Sequence, residues 1–248
     1  MTLTLSIKCP GPIPENMLCK EDHVYDMLAS LDVTKSSGPD DISARMLKAT
    51  AASIAPSVTS LFNISLKLGR VPLEWKESRI VPIPKVPVPR TPDNFRPISL
   101  LSVLSKVFEK HIYSLITNHL DATPLSDSQW GFRIGRSTVS ALLSIVDDWL
   151  RLLKEGKEIC ATFFDYRKAV DSVLHRPLMD QLSSLNLNPF LIRWTSDYLT
   201  HRTQQVVVEG AASNAMQVLS GVPQGSILGP LLFLIYVNGI TLRTVKDA

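Results

Sequence analysis

Residues 158–165 read EICATFFD, a run of apolar and β-favouring residues that stops at Asp165, with Arg167 and Lys168 just beyond it. A short apolar run bounded by charge predicts a buried strand. Cys160, inside the run, is then a small core residue. The strand's last residue is the difficulty. A buried carboxylate is costly unless it is paired or binds a metal. A strand end is also a rigid place from which to aim one, and hard oxygen ligands suit Mg²⁺. Asp165 is therefore either a metal ligand or a local group that caps the next helix or pairs with Arg167. A single Asp does not make a metal site.

The segments around this strand are mostly helical. An acidic first turn at Glu21 and Asp22 opens a helix to about residue 31. After the turn cluster KSSGPDDIS (35–43), a helical region spans about 43–67, with Pro56 expected to bend or break it. Residues 78–90, SRIVPIPKVPVPR, alternate apolar residues with prolines, which predicts an edge strand running into an extended loop. Helices are expected to about residue 120 after RPIS, over 137–154, and near 176–186 and 188–200. QQVVVEG (204–210) and MQVLSG (216–221) read as a hairpin, and Ser226 caps a last apolar helix. Helical runs with a few scattered strands give an α+β fold. There is no internal repeat.

With 45% hydrophobic and 20% charged residues in 248, the chain can bury a sizeable core. Its net charge of +3 permits an anionic partner without requiring one, but the charge is uneven. Residues 1–45 carry four basic and seven acidic side chains, whereas residues 65–111 carry nine basic and four acidic. A basic middle stretch suits phosphates, and equally suits a solvated face. Three cysteines without C-x-x-C spacing argue against a disulfide framework or a zinc site. The N-terminus lacks the basic start and apolar core of a signal peptide, and the longest apolar stretch, at 227–237, is too short to span a bilayer. The expectation is an intracellular chain, cytoplasmic or nuclear, with no membrane partner.

Two further constellations carry chemistry. In LSGVPQGSILGPLLFLIYVNGI (219–240), Pro223, Gln224 and Gly225 make a tight turn directly before the apolar helix. Glycine at such a junction lets a nucleotide approach the backbone, and the helix N-terminus favours negative charge. The G-K-[ST] ending of a phosphate-binding loop is missing. A plain loop-to-helix junction reads the same way. The second constellation is RPISLLSVLSKVFEK (96–110) together with QWGFRIGRST (129–138), where Arg96 ends the proline-rich loop and Arg133 and Arg136 flank a glycine turn beside Trp130 and Phe132. Arginines among aromatics suit nucleic acid or triphosphates, and also suit the covering of apolar surface. His175 is expected to shape the turn after the strand rather than to bind a metal.

In order, KSSGPDDIS, NFRPISLLSVLSKVFEK, LSDSQWGFRIGRST, FFDYRKAVDSVLHRPL and LSGVPQGSILGPLLFLIYVNGI resemble the reverse transcriptases of non-LTR retrotransposons of the jockey or LINE type. The resemblance spans roughly residues 20–240. It implies an RNA-directed DNA polymerase with a right-hand architecture. Residues 1–20 would be linker-like, 21–157 rich in fingers, and 158–248 a partial palm. Asp165 would match the first catalytic carboxylate, a ligand of both Mg²⁺ ions in a two-metal displacement. Arg96, Val170, Gln224 and Gly225 would contact the incoming dNTP, and Arg133 and Arg136 the nucleic acid. The partners implied are an RNA template, a DNA primer and dNTPs.

Two departures from the family pattern stand out. Its members carry an aromatic five residues after the catalytic Asp, where this chain has Val170. They also carry an Asp-Asp pair downstream of NGI, where this chain reads TLRTVKDA, and Asp247 lacks the apolar strand that should precede such a pair. The chain by itself is therefore expected to polymerise little or nothing. The alternative is a non-catalytic RNA-binding or interaction remnant of such a polymerase.

Overall fold

The computed structural model describes residues 9, 11–122 and 125–244. Asp247 and most of the first ten residues lie outside them. Eight α-helices surround a small sheet among the described residues: α1 (Glu21–Ala29), α2 (Ala44–Ala49), α3 (Ala51–Leu68), α4 (Val103–Ala122), α5 (Thr138–Lys154), α6 (His175–Ser184), α7 (Pro189–Leu199) and α8 (Leu228–Thr244). The strands are β1 (Glu77–Pro84), β2 (Phe95–Leu100), β3 (Arg202–Val208), β4 (Ala211–Ala212) and β5 (Met216–Val218). This is the expected mixture of helix and sheet. None of the described helices is long and apolar enough to cross a membrane.

Local chemistry sets most boundaries. α3 ends at Gly69, whose φ of +59° lets Arg70 N–H reach back to the Ser65 carbonyl and Gly69 N–H to that of Leu66. Ser137 and Ser140 close a capping box on α5, and the Asn188 side chain accepts Phe190 N–H ahead of Pro189 in α7. Pro56 does not break its helix in two. The interruption falls at Thr50, six residues earlier, so that Pro56 lies in the second turn of α3. Its carbonyl partner would have been residue 52, in the first turn, where few helical bonds are lost.

The sheet order is β2-β1-β3-β4, with β5 also on β3. β1 runs antiparallel to β2 over residues 79–84 and parallel to β3 over 77–80. The expected edge strand is thus paired on both sides at its start. Pro82 and Pro84 fall beyond the β3 pairing, where a missing N–H leaves no ladder bond unmade on that side. The expected hairpin forms between β3 and β5, with Arg202 opposite Val218.

The core lies between α3, α4, α7 and α8. Phe62 stacks on Phe108 at 4.4 Å, Phe108 meets the Trp194 ring edge-on at 5.3 Å, and Trp194 stacks on Tyr198. All four are fully buried or nearly so. Part of the N-terminal segment expected to be a linker joins this core. Met17 and Cys19 are buried, and the Asn63 side chain pairs with both the N–H and the carbonyl of Cys19.

The strand expected at 158–165 does not form. Residues 157–166 have no regular structure, Phe163 and Phe164 are 87% and 86% exposed, and Asp165 and Cys160 are exposed as well. A strand needs a neighbour to accept its ladder bonds, and no strand among the described residues pairs with this one. α5 is left in a similar state. Val139, Leu142, Leu143, Val146, Leu150 and Leu153 line its apolar side and are all exposed.

Candidate nucleotide and nucleic-acid site

The turn before α8 is fixed by three backbone contacts. Ser99 N–H in β2 donates to the Gln224 carbonyl at 2.7 Å, Val222 N–H donates to the Val170 carbonyl at 3.1 Å, and Gly221 N–H donates to the Val173 carbonyl at 2.8 Å. His175, expected to shape the turn after the 158–165 strand, instead makes a ring-nitrogen hydrogen bond to the Gly221 carbonyl at 2.9 Å, in the turn before α8. Three stretches far apart in sequence therefore meet here. Gly225 is required at the contact: its φ is +125°, and a Cβ placed there would lie 2.6 Å from the Ser99 carbonyl oxygen. Ser226 caps α8 as expected, its hydroxyl accepting Gly229 N–H at 2.8 Å.

Beside the turn a cavity of about 400 Å³ is lined by Ser78, Ile80, Pro97, Ser99, Lys168, Asp171, Arg202 and Gln224, among others. A second, of about 650 Å³, shares Ile80, Pro97, Lys168, Asp171 and Val206 with it and extends towards Lys85 and Arg90. The lining follows from strand register. Ile80 sits opposite Ser99 and Val206, and Pro82 opposite Pro97, so alternate residues share this face. Arg96 pairs with Ile83 and so points to the other face, exposed on the edge strand. Gln224 is thus brought to β2, Val170 meets the same turn through Val222 and packs half-buried against the core without lining either cavity, and Arg96 is on the opposite side of the sheet from the Gln224 cavity.

Asp165 is in the exposed segment and lines neither cavity. Arg167 does not pair with it. Instead Arg167 and Lys168 both reach Asp93, at 2.8 and 3.0 Å, tying the stretch after Asp165 to the end of the β1–β2 connection. These two cations, Lys168 foremost, hold the Asp93 carboxyl below its ordinary range. Arg133 and Arg136 are used within their own loop. Arg133 donates to the Ser126 carbonyl at 2.8 Å, and Arg136 pairs with the Asp127 side chain and carbonyl and lies over the Trp130 ring at 4.8 Å. Among the described residues, no group of three or more His, Cys, Asp or Glu side chains could hold a metal ion.

One residue had no functional reading in the sequence. Glu109, on α4, is 0% exposed, and its Oε2 accepts the N–H groups of Ile227 and Leu228 at 2.8 and 3.3 Å. Burial pushes its carboxyl up from the ordinary value, while the two N–H groups and the nearby Arg202 charge pull it down. The available signal was its spacing, because Glu109 falls in line with Ser105, Ile112 and Ile116 on the buried side of α4.

The mixed sheet-and-helix fold, with its Gln-Gly turn clipped to a strand, is consistent with the fingers and palm region of a reverse transcriptase. The chain belongs to the reverse transcriptase (RNA-dependent DNA polymerase) family, which it matches over residues 83–247. It is 34% identical over 218 residues to a probable RNA-directed DNA polymerase from transposon BS of Drosophila melanogaster, covering 87% of this chain and 24% of that protein. With the RNA-directed DNA polymerase from mobile element jockey of the same fly it shares 29% identity over 225 residues, which is 90% of this chain and 24% of the relative. A probable RNA-directed DNA polymerase from transposon X-element is 36% identical over 216 residues, 86% of this chain and 24% of the relative. The chain thus spans about a quarter of the length of these curated relatives. The jockey-type resemblance read from the motifs is borne out.

Proposed function

We propose that this chain is the part of a retrotransposon RNA-directed DNA polymerase that grips an RNA template, a DNA primer and an incoming dNTP. The observation that carries the reading is the meeting of the Pro223–Ser226 turn, Val170 and β2 in one place, held by Ser99 N–H on Gln224 and Val222 N–H on Val170. In this reading the nucleotide packs against Gln224, and the missing Cβ of Gly225 admits the Ser99 carbonyl, so that β2 closes on the turn. Val170 sits under the sugar. Arg96, on the opposite face of the sheet, takes no part in holding a nucleotide against Gln224, and the loop that Arg133 and Arg136 brace meets the nucleic acid.

Reverse transcriptases generally use Mg²⁺, which activates the primer hydroxyl and neutralises the triphosphate. Asp165 is the one carboxylate here assigned to that task. The described residues do not by themselves fit a two-metal centre, because Asp165 stands exposed and no acidic cluster gathers around it.

Binding of a primed RNA template across a salt series, with primer extension in Mg²⁺ and dNTPs, tests the reading. The expected result is an affinity that falls linearly with salt on logarithmic axes, with little or no extension by the 248-residue chain. Absent or salt-insensitive binding would overturn the reading. Efficient extension would overturn the view that Asp165 needs further acids.

A further inference from the structure

Glu109 is a buried acid that the nucleotide reading does not use, and it lies where four elements meet. Its own helix α4 contributes Ser105, whose hydroxyl is 3.4 Å from Oε1, and Lys106 on the neighbouring face. α7 contributes Tyr198, whose phenol is pushed up by burial and by the Glu109 charge. β3 contributes Arg202, 2% exposed, which donates to the carbonyls of Tyr198 and Trp75 and also lines the Gln224 cavity. α8 contributes the N–H groups of Ile227 and Leu228.

Those two N–H groups belong to the start of α8, where the helix has no partners of its own to offer them. Ser226 satisfies a third, that of Gly229. Without Glu109 the donors of residues 227 and 228 would lose their partner, the first half-buried and the second fully buried, and the turn would have to move for the Leu228 donor to find another. Gln224 and Gly225 lie two to four residues before them, on the same short segment. The other end of that segment is held by Ser99 N–H on the Gln224 carbonyl, by the contacts of Gly221 and Val222, and by the Ser220 hydroxyl on the Asp171 carbonyl.

We propose that Glu109 is a positioning residue for the nucleotide-binding turn: accepting the Ile227 and Leu228 N–H groups, it fixes the start of α8 and so the place of Gln224 and Gly225 against β2. This rests on the nucleotide reading of that turn. What the role needs is a buried acceptor at Oε2. Glutamine, of the same length and with one carbonyl oxygen, supplies it. Leucine fills the space and supplies none.

Amide hydrogen exchange on the 248-residue chain, for the wild type, Glu109→Gln and Glu109→Leu, gives the first readout. In Glu109→Leu, exchange is expected to speed up at least tenfold across residues 226–229, with α3 and α7 unchanged. Glu109→Gln should remain within about threefold of the wild type, since a hydrogen-bond acceptor is kept. Uniform acceleration in Glu109→Leu, or equal loss in both variants, would overturn the inference.

The second readout is dNTP-dependent tightening on a primed RNA template with a chain-terminated primer, in Mg²⁺. Glu109→Leu should weaken dNTP affinity at least tenfold while primed-template affinity stays within threefold, and Glu109→Gln should restore it. Unaltered dNTP affinity in Glu109→Leu would overturn the inference. A wild type that binds the template without responding to any dNTP, yet shows the exchange pattern, would instead overturn the nucleotide reading and leave the clamp on the turn standing.

Discussion

Replacing Gly225 by alanine tests the contact on which the proposed site depends. A Cβ at this position meets the Ser99 carbonyl oxygen at 2.6 Å, against 3.4 Å for ordinary contact, and the obstacle is backbone that cannot swing aside. The φ of +125° adds a conformational cost of about 1–3 kcal/mol for a residue with a side chain. Relieving the clash separates β2 from the turn and gives up the Ser99–Gln224 hydrogen bond, worth about 0.5–1.5 kcal/mol. Together these predict a loss of roughly 2–4 kcal/mol. At about 2–4 °C per kcal/mol for a chain of this size, thermal unfolding should shift down by about 5–15 °C. Gly135→Ala is the control. It has a φ of +75° but nothing within 4 Å of its Cβ, so only a backbone cost of about 1–2 kcal/mol applies. Calorimetry or circular dichroism melting of both variants reads the difference. If Gly225→Ala melts within about 1 °C of the wild type, or no lower than Gly135→Ala, the contact argument is wrong.

Other tests reach different parts of the molecule. Val170→Phe should sharpen rejection of ribonucleoside triphosphates by about 10–200-fold, the scale of small changes in a pocket, as read by competition between ribo- and deoxynucleotides on a primed template. Asp197→Asn removes the partner of Lys76, which is buried and 2.7 Å from the Asp197 carboxylate; a destabilisation of about 3–5 kcal/mol is expected in urea unfolding, and a loss under 1 kcal/mol would contradict it. Burial pushes the Cys19 thiol up to about 12 from 9.0, so native protein at pH 8 should be alkylated at exposed Cys160 and spared at Cys19, as mass spectrometry would show. The same shift sets a sign for stability. The native thiol keeps its proton where the unfolded one loses it, so the Cys19 contribution is present below about pH 9 and declines as pH rises towards 12. Melting temperatures from pH 8.5 to 11, compared with Cys19→Ala, would reveal that slope or its absence.

What could be read in the sequence was mostly local. The helix opened by the acidic turn at Glu21, the helices expected over 137–154 and near 188–200, and the β3–β5 hairpin each depend on residues a few positions apart, and each was found near its expected place. The series of motifs also carried the family, because the order of short patterns survives without knowledge of the fold. Burial was less legible. Residues 158–165 have the composition of a core strand, yet a strand forms only against a partner, and the described residues supply none; Asp165 and Cys160 are therefore exposed. Glu109 shows the converse. In sequence it is one acid beside Lys110 on an amphipathic helix, and only the packing of α8 across α4 makes it a buried acceptor at the foot of the Gln224 turn. Sequence alone determined which segments are helix, turn or hairpin and which family they compose, because those properties rest on neighbouring residues. Tertiary structure decided which carboxylates are buried and which face of β2 carries Arg96, because the burial of Glu109 depends on a partner more than a hundred residues away and the face of Arg96 on the register of β2 against β1.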